Sequence, residues 1–161
     1  MKTLLLIFFL LFTVQQTHIS KDEQIIVNLI NNYRKEHNLP KLNVNLKLVN
    51  TARTHIYQLK NIKPFEIPNF SIHSWYNCNY DEDKECMWRK PKELFNYNST
   101  GYEIITYNTV HMTPERALNN FQNSEPHNDI ILNKKVWETV EFKSIGIAIN
   151  NNYCSIWFGE I

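Results

Sequence analysis

Side chains able to do chemistry are few in this chain, and none arrives in a ready-made motif. The six histidines are scattered singly along 161 residues. Two neutral imidazoles and a carboxylate would suffice to hold zinc with one open position and so to polarise a water for hydrolysis. No H-E-x-x-H helix sets such groups one turn apart, and no G-x-S-x-G elbow offers a serine nucleophile. The three glycines, Gly101, Gly146 and Gly159, are too few and too dispersed for a phosphate-cradling loop, so P-loop and dinucleotide-binding readings fail.

The cysteines give more. Cys78 and Cys86 flank a short polar loop, residues 79–85, and could close it as a disulfide in an oxidising compartment. Their spacing suits no zinc knuckle. Cys154 lies in an apolar strand and reads as a buried free thiol. Two sequons, Asn69-Phe70-Ser71 and Asn98-Ser99-Thr100, sit in loop-like sequence and could carry glycans.

Compartment follows from the start of the chain. After Lys2, residues 4–14 (LLLIFFLLFTV) are apolar apart from Thr13. A run of about 11 residues cannot span a hydrocarbon core of about 30 Å, but it has the length of a secretory h-region. Residues 1–18 are expected to be a signal peptide cleaved between 15 and 20, the product extracellular and not an integral membrane protein. The formal charge is +1, and loss of Lys2 balances the remainder. A balanced chain gives no basic surface for nucleic acid. Roughly 140 mature residues make one domain, 21–161.

The elements that must position any site read as follows. Ser20-x-x-Glu23 is a capping box ahead of Ile25, Ile26, Leu29, Ile30 and Tyr33, which recur at helical spacing. That helix should stop near His37, since Pro40 disfavours helical geometry at Leu39. Asn45 caps a second helix whose apolar stripe is Leu46, Val49, Ala52, Ile56 and Leu59, with Leu48 beside it. Pro64 and Pro68 end it. Residues 69–100 read as a long loop region, its acidic 81–85 and basic 89–92 stretches one solvated loop. Residues 102–107 alternate as a strand, and Thr113-Pro114-Glu115 opens a third helix through Ala117, Leu118 and Phe121. HNDIIL after Pro126 is a short helix or turn. Residues 144–149 and 153–158 are strands joined by an Asn150-Asn151-Asn152 hairpin turn. The order suggests α+β layers.

Residues 30–42 (INNYRKEHNLPKL) resemble the first signature of the CAP superfamily. That superfamily comprises the cysteine-rich secretory proteins, insect antigen 5 allergens and plant pathogenesis-related proteins of class 1. Leu42, Asn45, Leu48 and Ala52 continue its pattern, with Ile30 where His, and Val44 where Trp, is usual. Phe121-x-x-Ser124-x-x-His127, then Ile130-Ile131-Leu132 and Ser144-Ile145-Gly146-Ile147-Ala148, resemble the compact form common in bacterial members, with Phe121 replacing Trp. The likeness spans nearly the whole mature chain except an insertion at about 74–100.

The resemblance implies a three-layer α-β-α sandwich with a central antiparallel sheet. It also implies a cleft with two His and two acids that bind a divalent metal, usually zinc, in some members. Carried over, His73 is the first His, Glu103 the first acid and the candidate catalytic group, and His127 the second His; His73 and His127 are the implied metal pair. The position of the second acid is Ser124, with Glu125 adjacent. Nothing local in the sequence forces His73, Glu103 and His127 together. His37 and His55 are expected at the surface or on a helix face, and His111 ahead of a helix. Arg34 is a candidate structural anchor, and Tyr33, Phe121 and Trp157 fill the core. Trp75 and Trp88 either pack the insertion down, the favoured reading, or line the mouth of the cleft.

Two functions follow from the resemblance. One is a secreted binding protein that takes a lipid, a sterol, or an extracellular protein or surface. The other is a metal-dependent hydrolase or peptidase using His73, Glu103 and His127. The missing second acid favours the first; a third reading, outside the resemblance, is an inert, disulfide-decorated structural module of a secretion.

Overall fold

The computed structural model describes residues 18–63, 66–68 and 70–161. The leader expected at 1–18 falls almost wholly outside these residues, as does the Asn69 glycan site.

The first helix, α1 (Lys21–Glu36), begins as its sequence dictates. Ser20 Oγ accepts from the Glu23 amide at 3.2 Å, and the Glu23 carboxylate accepts from the Ser20 amide at 2.6 Å, a reciprocal cap that satisfies two otherwise orphan donors. The bend after α1 is pinned by buried amides. Asn31 donates to the Leu42 carbonyl and accepts from the Leu42 amide, at 3.1 and 2.8 Å. Arg34 is the anchor expected of it. Its guanidinium is buried and donates to the Pro40 and Ile131 carbonyls and to Asn133 Oδ1.

Within the bend lies a two-residue strand, β1 (Asn43–Val44). Asn45 then caps α2 (Leu46–Ile62), accepting from the Lys47 amide at 3.0 Å. The insertion is more ordered than the expected long loop. Trp75 and Cys78 form a tight bridge, followed by α3 (Lys84–Trp88) and α4 (Lys90–Phe95). Asp83 caps α3 by accepting from the Glu85 and Cys86 amides. Helices of one or two turns carry no periodic apolar stripe, so only such caps betray them. Nor is 89–92 wholly solvated: Lys90 and Pro91 are buried, with Lys90 Nζ bound to Glu93 at 2.7 Å and lying over the Trp75 ring.

Strand β2 (Gly101–Tyr107) is followed by α5 (Pro114–Gln122), α6 (Glu125–Ile131), a 3-10 turn at Lys135–Trp137, and the hairpin β3 (Ser144–Ile149) and β4 (Tyr153–Gly159). Sheet order is β1-β3-β4-β2. The three long strands pair antiparallel, as expected; the short β1 adds to β3 in parallel.

Strand alternation splits the core into two layers. Ile104, Ile145, Ile147, Ile156 and Phe158 face α1, α5 and α6. Ile105, Ala148, Tyr153 and Trp157 face α2 and the insertion. The α-β-α sandwich is thus in place, with Phe121 and Trp157 fully buried and Tyr33 packed at the core edge. One glycine is indispensable to it. A Cβ on Gly146 would stand 2.2 Å from the Leu48 carbonyl carbon, so α2 reaches β3 only because that side chain is missing.

Candidate functional site

Three elements deliver the site. Glu103 points to the α2 side of β2, opposite Trp157 of β4. His73 sits in the turn before the Trp75–Cys78 bridge, its amide bonded to Ser71 Oγ. His127 occupies the first turn of α6, edge-on to the buried Phe121 ring at 5.6 Å. The fold brings these three together. His73 Nδ1 lies 3.1 Å from Glu103 Oε2, and the two imidazole centroids are 6.0 Å apart.

A fourth residue stands at the centre. His55 was expected at the surface or on a helix face; it is fully buried. Its Nδ1 is 2.6 Å from Glu103 Oε1, and its Nε2 is 3.1 Å from the Ser74 carbonyl oxygen. Its ring stacks on Trp75 at 4.4 Å with an interplanar angle of 7°. Ser155 Oγ also donates to Glu103 Oε1, at 2.6 Å, and accepts from Trp157 Nε1 at 3.1 Å. The signal for His55 was in the sequence. It falls on the buried side of α2 with Leu48, Ala52 and Leu59, whereas Leu46, counted in the stripe, is 40% exposed.

Charge is settled by these contacts. Burial opposes ionisation of Glu103, but the adjoining His55 charge and hydrogen bonds from His55 and His73 outweigh it and lower the pKa to about 2. For His127, burial is the main cause of a pKa lowered to about 4, with His73 adding to it and Glu103 opposing. Near neutral pH the site therefore holds a carboxylate and an uncharged His127.

The cleft itself is a recess of about 300 Å³. His73, Tyr80, His127, Ile130 and Trp137 line it, and Glu103 lies at its floor. Glu125, Asp129 and Lys135 form its rim, with Lys135 Nζ paired to both acids. Ser124 does not line it and serves as the N-cap residue of α6. Larger recesses of about 360 and 440 Å³ lie beside Arg53 and along the outer face of α1, but neither holds an imidazole.

Tyr80 comes from the insertion. The Cys78–Cys86 disulfide forms, its Cα atoms 5.9 Å apart. Within that loop the Tyr80 amide donates to Ser74 Oγ at 3.0 Å, and the Tyr80 ring packs 4.9 Å from His73. Trp75 is buried against His55 and Trp157; Trp88 is half-buried against Tyr102. Cys154 is buried and free, its thiol pKa pushed up by burial. His37 and His111 are exposed.

A protein-held zinc takes three or four side-chain ligands. Glu103 has both oxygens bound by His55, Ser155 and His73, Ser124 offers only a hydroxyl, and Glu125 and Asp129 are committed to Lys135 at the rim. Two imidazoles remain, and among the described residues no group of three or more His, Cys, Asp or Glu is placed to hold an ion. The donor set does not fit a zinc held by the protein alone.

Comparison with known proteins agrees with the architecture. The model of the cysteine-rich secretory protein family, CAP, matches residues 27–158. No curated protein sequence is significantly similar to the chain. An outer surface protein of Borrelia burgdorferi superposes with a TM-score of 0.66 at 17% identity, over 88% of this chain and 93% of that one. An extracellular SCP-domain protein of Bacillus anthracis gives 0.63 at 23% identity, over 87% of this chain and 40% of that one. A cysteine-rich secretory protein of Staphylococcus aureus gives 0.62 at 16% identity, over 89% and 41%. The chain thus spans about two fifths of the latter two. At these identities the likeness is one of fold. No helix among the described residues is long and apolar enough to cross a membrane.

Proposed function

The chain belongs to the cysteine-rich secretory protein (CAP) family, and from that premise we propose that it is a secreted, non-catalytic binding protein whose cleft takes one end of an amphipathic ligand such as a lipid or sterol. The observation that carries this is the state of Glu103. A general base must reach the proton it abstracts. Glu103 is fully buried with both oxygens bound inside the protein, and the second acid of the family pattern is Ser124 here. What reaches the recess is a pair of imidazoles between apolar and aromatic walls, Tyr80, Ile130 and Trp137, which suits recognition.

Secretion is part of the same reading. It is supported by the apolar run at residues 4–14 and by the Cys78–Cys86 disulfide. Asn98 is exposed and is the described sequon that a glycan would occupy.

The test incubates the secreted protein with a radiolabelled sterol and, separately, with a peptide library. Saturable sterol binding displaced by unlabelled sterol, without peptide turnover, is the expected result. Peptide turnover that His127→Ala abolishes while the melting temperature holds would overturn it in favour of a hydrolase.

A further inference from the structure

The protons around Glu103 are placed by hydrogen-bond complementarity together with its ionised state. The Ser74 carbonyl only accepts, so the His55 Nε2 facing it carries a proton. Trp157 Nε1 only donates, so Ser155 Oγ accepts there and its own proton goes to Glu103 Oε1. With Glu103 ionised, that oxygen has no proton to give, so the His55 Nδ1 beside it also carries one. His55 is thus an imidazolium, sealed from solvent between a carboxylate, a carbonyl and the face of Trp75, where cation–π attraction adds to the ion pair.

Consequences reach the cleft through the other carboxylate oxygen. With Glu103 ionised, Oε2 can only accept, so His73 donates from Nδ1. A neutral imidazole with its proton on Nδ1 has a lone pair on Nε2, and that nitrogen has no hydrogen-bond partner among the described residues. We propose that His55 is the positioning residue of the cleft: acting through Glu103, it fixes His73 as the Nδ1–H tautomer, so that the cleft offers an acceptor to a neutral hydroxyl at the buried end of the ligand.

The same contacts disfavour an anionic end. The Glu103 charge is already met by His55 behind it. The Lys135 ammonium, the cation at the rim, is held by Glu125 and Asp129. His127 packs edge-on against the buried Phe121 ring. A carboxylate or phosphate entering the recess would meet no uncommitted cation among its lining residues and would lose its own hydration. A hydroxyl would donate to His73 Nε2 while its hydrocarbon lay against Tyr80, Ile130 and Trp137.

This assignment of ligand class rests on the cleft-binding reading; the role of His55 does not, and the two are tested separately. Ring nitrogen shifts of the histidines, measured by NMR on the secreted protein near neutral pH without ligand, should show His73 as the Nδ1–H tautomer and His55 doubly protonated. His55→Gln keeps a donor toward Glu103 and should leave the His73 pattern unchanged. His55→Phe keeps an aromatic face for Trp75 but supplies no donor, and should shift the His73 pattern. An Nε2–H His73 in the wild type, or an unaltered pattern in His55→Phe, overturns the positioning role. Should His55→Phe not fold, the double replacement His55→Phe with Glu103→Met, which leaves neither a donor nor an acceptor, takes its place, with loss of the Nδ1–H preference expected and its retention decisive against.

Ligand class is read with oleyl alcohol and oleate, which differ at the polar end. The alcohol should bind about tenfold more tightly or better, and equal or tighter binding of oleate overturns the hydroxyl assignment. Binding of neither probe overturns the cleft reading and the ligand class with it, while the NMR result still decides the place of His55.

Discussion

His55 Nδ1 and Glu103 Oε1 stand 2.6 Å apart with neither side chain reaching solvent. A buried pair of this kind is costly to break from one side, because the survivor is left charged and unpaired. Removing a single partner typically costs about 3–5 kcal/mol. His55→Ala and Glu103→Ala should each destabilise the protein on that scale in urea denaturation. The double replacement His55→Phe with Glu103→Met, apolar on both sides, should cost clearly less than the sum of the two single losses. Additive losses would show that the two side chains do not act as a pair.

The sequence gives up the frame of this molecule more readily than its centre. Ser20 and Glu23 announce the start of α1, Asn45 that of α2, and the asparagines at 150–152 the turn of the hairpin. Each is a local signal with a local consequence. The family likeness supplied His73, Glu103 and His127, which the fold does bring together. His55 escaped for a physical reason: a polar residue within an apolar stripe looks like a solvated edge until its partners are known. Its partner Glu103 lies 48 residues further along the chain, and Ser155, which donates to Glu103, another 52. The short helices of the insertion were equally hidden, being held by a cap at Asp83 and by Lys90 over Trp75 rather than by any repeat.

Gly146 places that network by letting α2 approach the sheet. A methyl group there would stand 2.2 Å from the Leu48 carbonyl carbon and 2.3 Å from the Val49 amide nitrogen. Backbone cannot yield as a side-chain tip can. Gly146→Ala should therefore destabilise by about 1–3 kcal/mol or more, the usual cost of overpacking, and should weaken the His55–Glu103 contact as α2 is pushed outward. Thermal melting checks the first and the His55 ring nitrogen shifts the second. An unchanged melting temperature would mean that α2 has room the structure does not give it.

The disulfide should matter to the cleft as well as to stability. Cys78 and Cys86 are 8 residues apart, and for so short a loop the chain-entropy estimate is about 2.5 kcal/mol. Replacing both by Ser should lower stability by no more than about that amount. Because the loop carries Tyr80, the same change should also weaken oleyl alcohol binding, as should reduction of the wild type by dithiothreitol. Loss of stability with unchanged binding would remove Tyr80 from the ligand wall.

Acid should weaken the fold in two overlapping stages. His127 has a folded pKa of about 4 against an ordinary 6.5, so as pH falls the unfolded chain takes up this proton first. Stability is therefore lost from about 6.5 down to about 4 on account of His127. Glu103 has a folded pKa of about 2 against an ordinary 4.5. Its contribution is fully present above 4.5 and disappears as pH falls toward 2. His127→Gln keeps a polar amide but cannot titrate, so it should flatten the upper stage and leave the lower one in place. Melting temperature followed against pH for both proteins makes the comparison directly. Parallel curves above pH 4.5 would show that His127 is not held neutral by its surroundings, and the uncharged cleft argued from it would fall with that result.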